Sequence, residues 1–321
     1  MPLKLADKWL WDFWFAQDGS DYHIFYLQSP NNLKYEWLRH VNVSIGHAVS
    51  KDLKNWTVLP DALAPSQDLE AFDNYTTWTG SVVKHDNLWY MFYTGSMRQE
   101  KALVQRIGLA TSSDLIVWQK YSHQALVEAG ANYYELLDVE SWHDQAWRDP
   151  WVFQDDSGLF HMFVTARVRE GAADARGVIG HATSKNLLDW NVCPPVTEPG
   201  EFGHMEVPQV AQIQDKYYLL FTVGYGQYSN ARKARGVKKQ TGTHYLVAEN
   251  PLGPFRYLTD DFLSGDEHGT LYSGKLIQDP KGDWQFLAFK NSDEHGEFVG
   301  ELSDPVPVMV LEDGLLQLGA S

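Results

Sequence analysis

Three carboxylates sit inside apolar, aromatic stretches of this 321-residue chain. Asp12 lies in WLWDFWF, Asp149 in WRDPWVF and Glu206 in HMEVPQV. An unpaired carboxylate buried in such surroundings is costly, or its pKa is driven sharply upward. One such residue reads as a structural acid satisfied by local donors. Three in matching contexts point to a shared functional site. Two tasks suit three acids in one pocket. A hard cation such as calcium takes several oxygen ligands. Cleavage of a glycosidic bond uses one carboxylic acid to protonate the leaving oxygen, while a second carboxylate attacks the anomeric carbon or activates water. Trp11, Trp14, Trp78, Trp147 and Trp151 flank the acids. Their faces match the C–H faces of sugars, and Arg148 supplies a fork for hydroxyls or for holding a carboxylate ionised. The aromatic surround favours sugar over metal, and no His/Cys spacing matches a zinc site. Neither a metal nor a cofactor is expected.

Acids so far apart in sequence need a fold that returns the chain repeatedly to one place. A repeat supplies it. IGHAVSKDLKNW from Ile45, IGLATSSDLIVW from Ile107 and IGHATSKNLLDW from Ile179 are copies of one segment. HYLVAENPLGPF from His244 and EFVGELSDPVPV from Glu297 are weaker ones. Each reads as strand, turn, strand. An aromatic strand precedes each copy: DYHIFYLQ, NLWYMFYTG, GLFHMFVTA, KYYLLFTVG and DWQFLAF. Polar hairpin turns lead into these strands. Five paired-strand units with few helical signatures predict an all-β chain, a five-bladed β-propeller of roughly four strands per blade. A two-sheet sandwich is the alternative, and it leaves the five-fold repetition unexplained. The stretch upstream of each aromatic strand should then be the innermost strand of its blade. It carries Asp12 in the first, Trp78, Thr79 and Ser81 in the second, Arg148 and Asp149 in the third, His204 and Glu206 in the fourth, and Tyr272 and Ser273 in the fifth. In this reading the acids occupy three of five matched positions.

Composition narrows the function classes. Hydrophobic residues make up 44% of the chain and the formal net charge is −16. The first is ample for a core; the second opposes binding to nucleic acid or anionic membrane surfaces. The basic cluster Arg232, Lys233, Arg235, Lys238 and Lys239 reads as a solvated, mobile loop. Cys193 is the single cysteine, so no internal disulfide forms. There is no apolar leader and no bilayer-length apolar run. A soluble protein of a reducing, cytoplasmic compartment is expected, acting on a small carbohydrate without nucleic acid or membrane partners.

These motifs resemble the β-fructosidase superfamily, glycoside hydrolase families 32 and 68, with family 43 more distant. IGHAVSKDLKNWTVLPDALAP, Ile45 to Pro65, is similar to the family 32 segment after the first blade. Arg148-Asp149-Pro150 resembles the superfamily's RDP motif, and Trp78-Thr79-Gly80-Ser81 its FSGS-type segment. Glu206 in MEVPQV matches the "EC" glutamate, with Val207 in place of cysteine. The family 32 opening, a WMNDPNG-type motif, is here WLWDFWF, closer to the WDxWP-like motif of family 68. No C-terminal β-sandwich fits after Val310, so residues 1–321 are expected to form one propeller domain.

The resemblance implies roles. Asp12 would be the nucleophile at the anomeric C2 of a fructofuranosyl unit. Glu206 would be general acid and then general base, and Asp149 would stabilise the oxocarbenium-like transition state. Trp11, Trp14, Gln28, Trp78, Ser81, Arg148, His204 and Tyr272 would contact substrate. Such roles require Glu206 to hold a proton near neutral pH, raised by burial and two nearby acids, while hydrogen bonds keep Asp12 ionised. Carboxyls about 5–5.5 Å apart imply retention, and about 6.5–9.5 Å inversion. Three functions stay open: a retaining β-fructofuranosidase or fructosyltransferase, a related glycosidase on another furanoside or on arabinose- or xylose-containing glycans, and a carbohydrate-binding propeller without catalysis.

Overall fold

The recurring Ser-x-Asp/Asn-Leu segment folds into one kind of turn in three blades, and the turn explains the repeat. Asp52 accepts the backbone N–H groups of Lys54 and Asn55 at 2.9 and 2.7 Å. Asp114 does the same for Ile116 and Val117, at 2.8 and 2.9 Å. Asn186 does so for Leu188 and Asp189, at 3.0 and 2.9 Å. The intervening Leu53, Leu115 and Leu187 have φ of 61°, 65° and 66°. That left-handed conformation is unfavourable for a side chain with a Cβ. It persists because each leucine side chain is buried, which outweighs the local strain.

The structure, a computed structural model, describes residues 3–319. It contains five antiparallel sheets, each built from consecutive stretches of chain. This is the five-bladed propeller expected from the repeats. The inner strands are Lys8–Asp18, Thr76–His85, Trp147–Gln154, Glu206–Ile213 and Leu271–Gln278. Four blades have four strands; the fifth has five, because Phe298–Leu302 adds to Trp284–Ser292. The ring closes where the first inner strand meets the last blade. Leu302 N donates to Leu3 O at 3.0 Å, and Trp9 packs edge-on against Phe298, centroids 5.8 Å apart. Among the described residues one short α-helix occurs, Asn230–Ala234, and no helix is long and apolar enough to cross a membrane. The basic stretch around that helix is partly structural, in contrast to the solvated loop expected. Arg232 is buried and pairs with Glu201 at 2.6 Å and Asp260 at 3.0 Å.

One irregularity recurs in every inner strand. Pairing with the second strand shifts at Asp12-Phe13, Thr79-Gly80, Asp149-Pro150, Val207-Pro208 and Ser273-Gly274. In each case two residues oppose one, a β-bulge that bends the strand and re-aims a side chain. Asp149, Val207 and Ser273 take positive φ of 58°, 53° and 51° there. The bulges define three tiers. Trp11, Trp78, Arg148, Glu206 and Tyr272 precede them and pair with Leu27, Thr94, Thr165, Thr222 and Phe289. Asp12, Thr79, Asp149, Val207 and Ser273 open them. Trp14, Ser81, Trp151, Gln209 and Lys275 follow. Glu206 is therefore the counterpart of Arg148, one tier from Asp12 and Asp149. The expectation that all three acids occupy matched positions is corrected by this one-residue offset, invisible until the register is known.

Leu187→Ala is expected to cost about 2–5 kcal/mol through the cavity it leaves and the strained backbone it fails to hold. Denaturant unfolding measures this, and a loss below about 1 kcal/mol would contradict the account of the turn.

Candidate active site

Asp12, Asp149 and Glu206 line one cavity of about 420 Å³, within the range of small-ligand sites. Trp11, Leu27, His40 and Trp78 form apolar and aromatic walls, while Thr79, Gln105, His143, Asp144, Arg148 and Val207 complete it. Trp78 is anchored by its Nε1–H, which donates to His40 O at 2.8 Å.

Each acid has its own donors. Asp12 accepts the hydroxyls of Ser273 and, at 2.9 Å, Thr79. Both donors come from bulges of neighbouring blades. Asp149 accepts Thr165 Oγ1–H at 2.8 Å and Val207 N–H at 3.3 Å, and its own N–H donates to Thr94 Oγ1 at 2.9 Å. Glu206 accepts Tyr272 O–H at 2.6 Å and Arg148 Nη2–H at 2.7 Å. Arg148 also donates to Asp144 and Gln105, both at 2.9 Å, and lies 3.6 Å from Asp149. One buried guanidinium thus meets three acids from three directions, each through a different nitrogen of its fork.

His204 stands behind this network, outside the cavity lining. Its Nδ1 receives Arg148 Nη2–H at 3.2 Å. Trp142 Nε1–H, like arginine a donor only, lies 3.1 Å from Nε2, so donor-only groups face both ring nitrogens, and Asp144 Oδ1 lies 3.2 Å from Nε2. Burial first, then Arg148, lowers the His204 pKa, against the pull of Asp144 and Glu206. Donor atoms of His143, Asp144 and His204 lie within 4.8 Å of one another. The Arg148 charge and its bonds to Asp144 and His204 oppose a cation there.

The electrostatics differ from the expectation at Glu206. Burial raises its pKa, but Arg148, His204 and the Tyr272 hydroxyl together outweigh burial and hold the carboxyl below its usual value. Burial raises Asp12, against the hydrogen bonds of Ser273 and Thr79. Burial also raises Asp149, to about 7, with Arg148 opposing and the neighbouring acids adding to the rise. The acid that keeps its proton to neutral pH in the free site is therefore Asp149. The reason is the Arg148 fork, which contacts Glu206 directly and Asp149 only at longer range.

The structure brings Trp11, Trp78, Arg148 and Tyr272 to the site, as read from sequence, and places three other residues elsewhere. Trp14 is 1% exposed and stacks on Phe25 at 6.2 Å inside the core. Ser81 is buried and accepts Val152 N–H from the next blade at 3.1 Å. Both belong to the tier below the bulges, so they cannot contact a ligand above them. Gln28 bonds Ser44 at 3.1 Å, while its neighbour Leu27 takes the cavity wall, because successive strand residues face opposite sides. Sequence reading missed Thr79, Gln105, Asp144 and His40 as wall residues. Asp144, four residues before Arg148, had a usable signal in that spacing beside the RDP motif.

Residues 13–299 match the Glycosyl hydrolases family 32 N-terminal domain. The chain belongs to glycosyl hydrolase family 32. This family 32 chain is 36% identical over 278 residues to an acid beta-fructofuranosidase of Solanum lycopersicum, covering 83% of the chain and 40% of that protein. It is 34% identical over 272 residues to a probable sucrose-6-phosphate hydrolase of Psychromonas ingrahamii, covering 84% and 45%. The chain spans half or less of the length of these relatives. Its fold is similar to that of an inulosucrase from Halalkalicoccus jeotgali bound to kestose, with a TM-score of 0.79 at 22% identity, covering 99% of this chain and 89% of that one.

Asp149 yields a stability prediction. Its folded pKa of about 7 lies above the ordinary 3.8. Folding therefore retains a proton, and the associated stability is full below the ordinary value and is lost as pH rises through about 7. Asp149→Asn, permanently neutral, should gain stability relative to wild type between pH 5 and 8, by about 1–3 kcal/mol. Thermal unfolding of both proteins at the two pH values checks this, and an unchanged difference would remove the shift assigned to Asp149.

Proposed function

We propose that this family 32 chain cleaves a β-fructofuranosyl linkage of the sucrose, fructo-oligosaccharide or fructan type, with retention and with transfer to a second sugar as an alternative outcome to hydrolysis. The observation that carries the reading is the trio of acids lining one aromatic-walled cavity, on a family 32 propeller. Asp12 attacks C2, the C2–O bond to the leaving group breaks, and Glu206 gives its proton to the leaving oxygen. Water or an acceptor hydroxyl then attacks C2, Glu206 takes that proton, and the bond to Asp12 breaks. Asp149 stabilises the cationic transition state.

Glu206 is held ionised in the free site, so protonation accompanies substrate binding. A glycosidic oxygen against Glu206 displaces water and competes for the Arg148 fork, and both effects raise the carboxyl. The proton carried by Asp149 near neutral pH supplies that protonation, since the three acids interact and share their titration. The cavity also favours a neutral sugar over a phosphorylated one. Its lining holds Asp12, Asp144, Asp149 and Glu206 against a single cation, Arg148, whose donors are already committed.

Incubation with sucrose, short fructans and aryl β-fructofuranosides tests the reading, with the first product's configuration followed by NMR. Glu206→Gln should lower kcat about 10²–10⁴-fold, and Asp12→Asn should remove turnover. Failure to release fructose or a transfer product from any donor, or unchanged rates in both variants, would overturn it. Turnover of other furanosides or of arabinose- or xylose-containing glycans alone would move the activity to that class. Sucrose should exceed sucrose 6-phosphate in kcat/KM by about 10-fold or more. The reverse order would show that charge does not set the specificity.

A further inference from the structure

Beneath the bulges, the third tier of inner-strand residues is Trp14, Ser81, Trp151, Gln209 and Lys275. Its polar members mostly bind blades together. Ser81 accepts a backbone N–H of the third blade, and Gln209 bonds both N–H and C=O of Leu276 in the fifth. Lys275 differs. It is 3% exposed, and its Nζ donates to the carbonyls of Val207 and Pro208 at 3.0 and 3.1 Å. Those two residues form the bulge directly after Glu206, and Val207 has positive φ. The ammonium also lies 5.6 Å from the centre of the Trp151 ring.

Burying an ammonium is costly, and lysine is seldom so placed without a carboxylate partner. Lys275 has none within salt-bridge distance among the described residues. Two carbonyls could be satisfied by an uncharged amide, so hydrogen bonding alone does not account for a charged group in this tier. What a charge adds is a field, and the field falls on the acids above it. We propose that Lys275 is a positioning residue for the reaction: its hydrogen bonds hold the Val207–Pro208 bulge that presents Glu206, and its positive charge beneath Asp12 and Asp149 keeps Asp12 ionised for attack.

The groups that face Lys275 come from three blades. Asp12 and Asp149 raise its pKa from the first and third, while burial, the larger effect, lowers it to about 7. In return Lys275 opposes the rise of Asp12. Glu206, on the fourth blade, acts on Asp12 in the opposite sense. Arg148 is spent on Asp144, Glu206 and Asp149, and Tyr272, on the same strand as Lys275, is bonded to Glu206. Arg39, paired with Glu36, also interacts with Asp12; Lys275 is the cation that does so from the inner strands, in the tier after the bulge. The ammonium is present below about pH 7 and lost above it, so its support of Asp12 fades on the alkaline side.

The inference rests on the reading of Asp12 as nucleophile, and its test is separable from that reading. Lys275→Met removes donors and charge at similar volume; Lys275→Gln keeps an amide donor without charge. In both, the acid limb of the kcat/KM profile should move upward by about one pH unit or more. The kcat should fall about 10-fold or more with KM within about threefold, in variants whose circular dichroism is native. Carbon-13 NMR titration of the aspartate carboxyls in the free protein should show the same rise at Asp12, with or without turnover. An unmoved Asp12 titration in either folded variant would overturn the proposal. So would a kcat loss in Lys275→Met that Lys275→Gln restores with the acid limb in place, since that pattern belongs to a hydrogen-bond clamp alone. Should Lys275→Met fail to fold, the Gln variant and Lys275→Arg, which keeps the charge and should leave the Asp12 titration where it stands in the wild type, decide the matter.

Discussion

Arg148 sits among three carboxylates, and the electrostatic order of the cavity depends on it. Asp144, Glu206 and Asp149 lie 2.9, 2.7 and 3.6 Å from its nitrogens. Without a shared cation, acids in this little water would repel one another and retain their protons. The guanidinium ranks them by contact: Asp144 and Glu206 are held low, while Asp149 stays high. Its charge, bonded to Asp144 and His204, also opposes a cation beside them. A guanidinium stays charged at any working pH, so the ranking is built into the fold.

The second constraint is geometric. An inner strand of regular pleat would alternate its side chains between the two faces of the blade. A bulge at the same level in all five strands breaks that alternation and presents successive residues to the axis. Asp12, Thr79 and Ser273 meet in this way, from three blades separated widely in sequence. Positive φ at Asp149, Val207 and Ser273 is strain held where the surrounding sheets over-determine the backbone. The first three blades carry strained leucines in their outer turns, so the propeller spends strain both to aim the site and to pack the blades.

Stability and chemistry pull against each other in this cavity. Asp149 is more costly to bury ionised than an amide would be, and Lys275 is more costly than a methionine. Both are buried on inner strands, where packing on both sides can sustain them. The outer strands and connections carry the exposed residues, including Tyr35 and Trp37. Rigid placement of the acids suits a reaction whose transition state is stabilised by charge already in position.

Much of this was legible in the chain. Copies of IGHAVSKDLKNW announced a repeated strand–turn–strand, because a capped turn with a buried leucine requires those residue types at that spacing. Acids within aromatic runs announced a buried site, because such burial is costly without a purpose. Other features depended on register. Glu206 falls level with Arg148 rather than Asp149; Trp14 and Ser81 lie one tier too deep; Leu27 displaces Gln28 from the wall. A single extra residue in each strand decides these, and local sequence does not reveal a bulge. The Glu206 pKa was likewise out of reach, since it is set by Arg148 from another blade. Sequence by itself determined which elements form and which residues carry chemistry, because those follow from local propensity and patterning. Only the tertiary structure decided which side chains share the cavity and which carboxyl holds the proton, because distances between blades govern both.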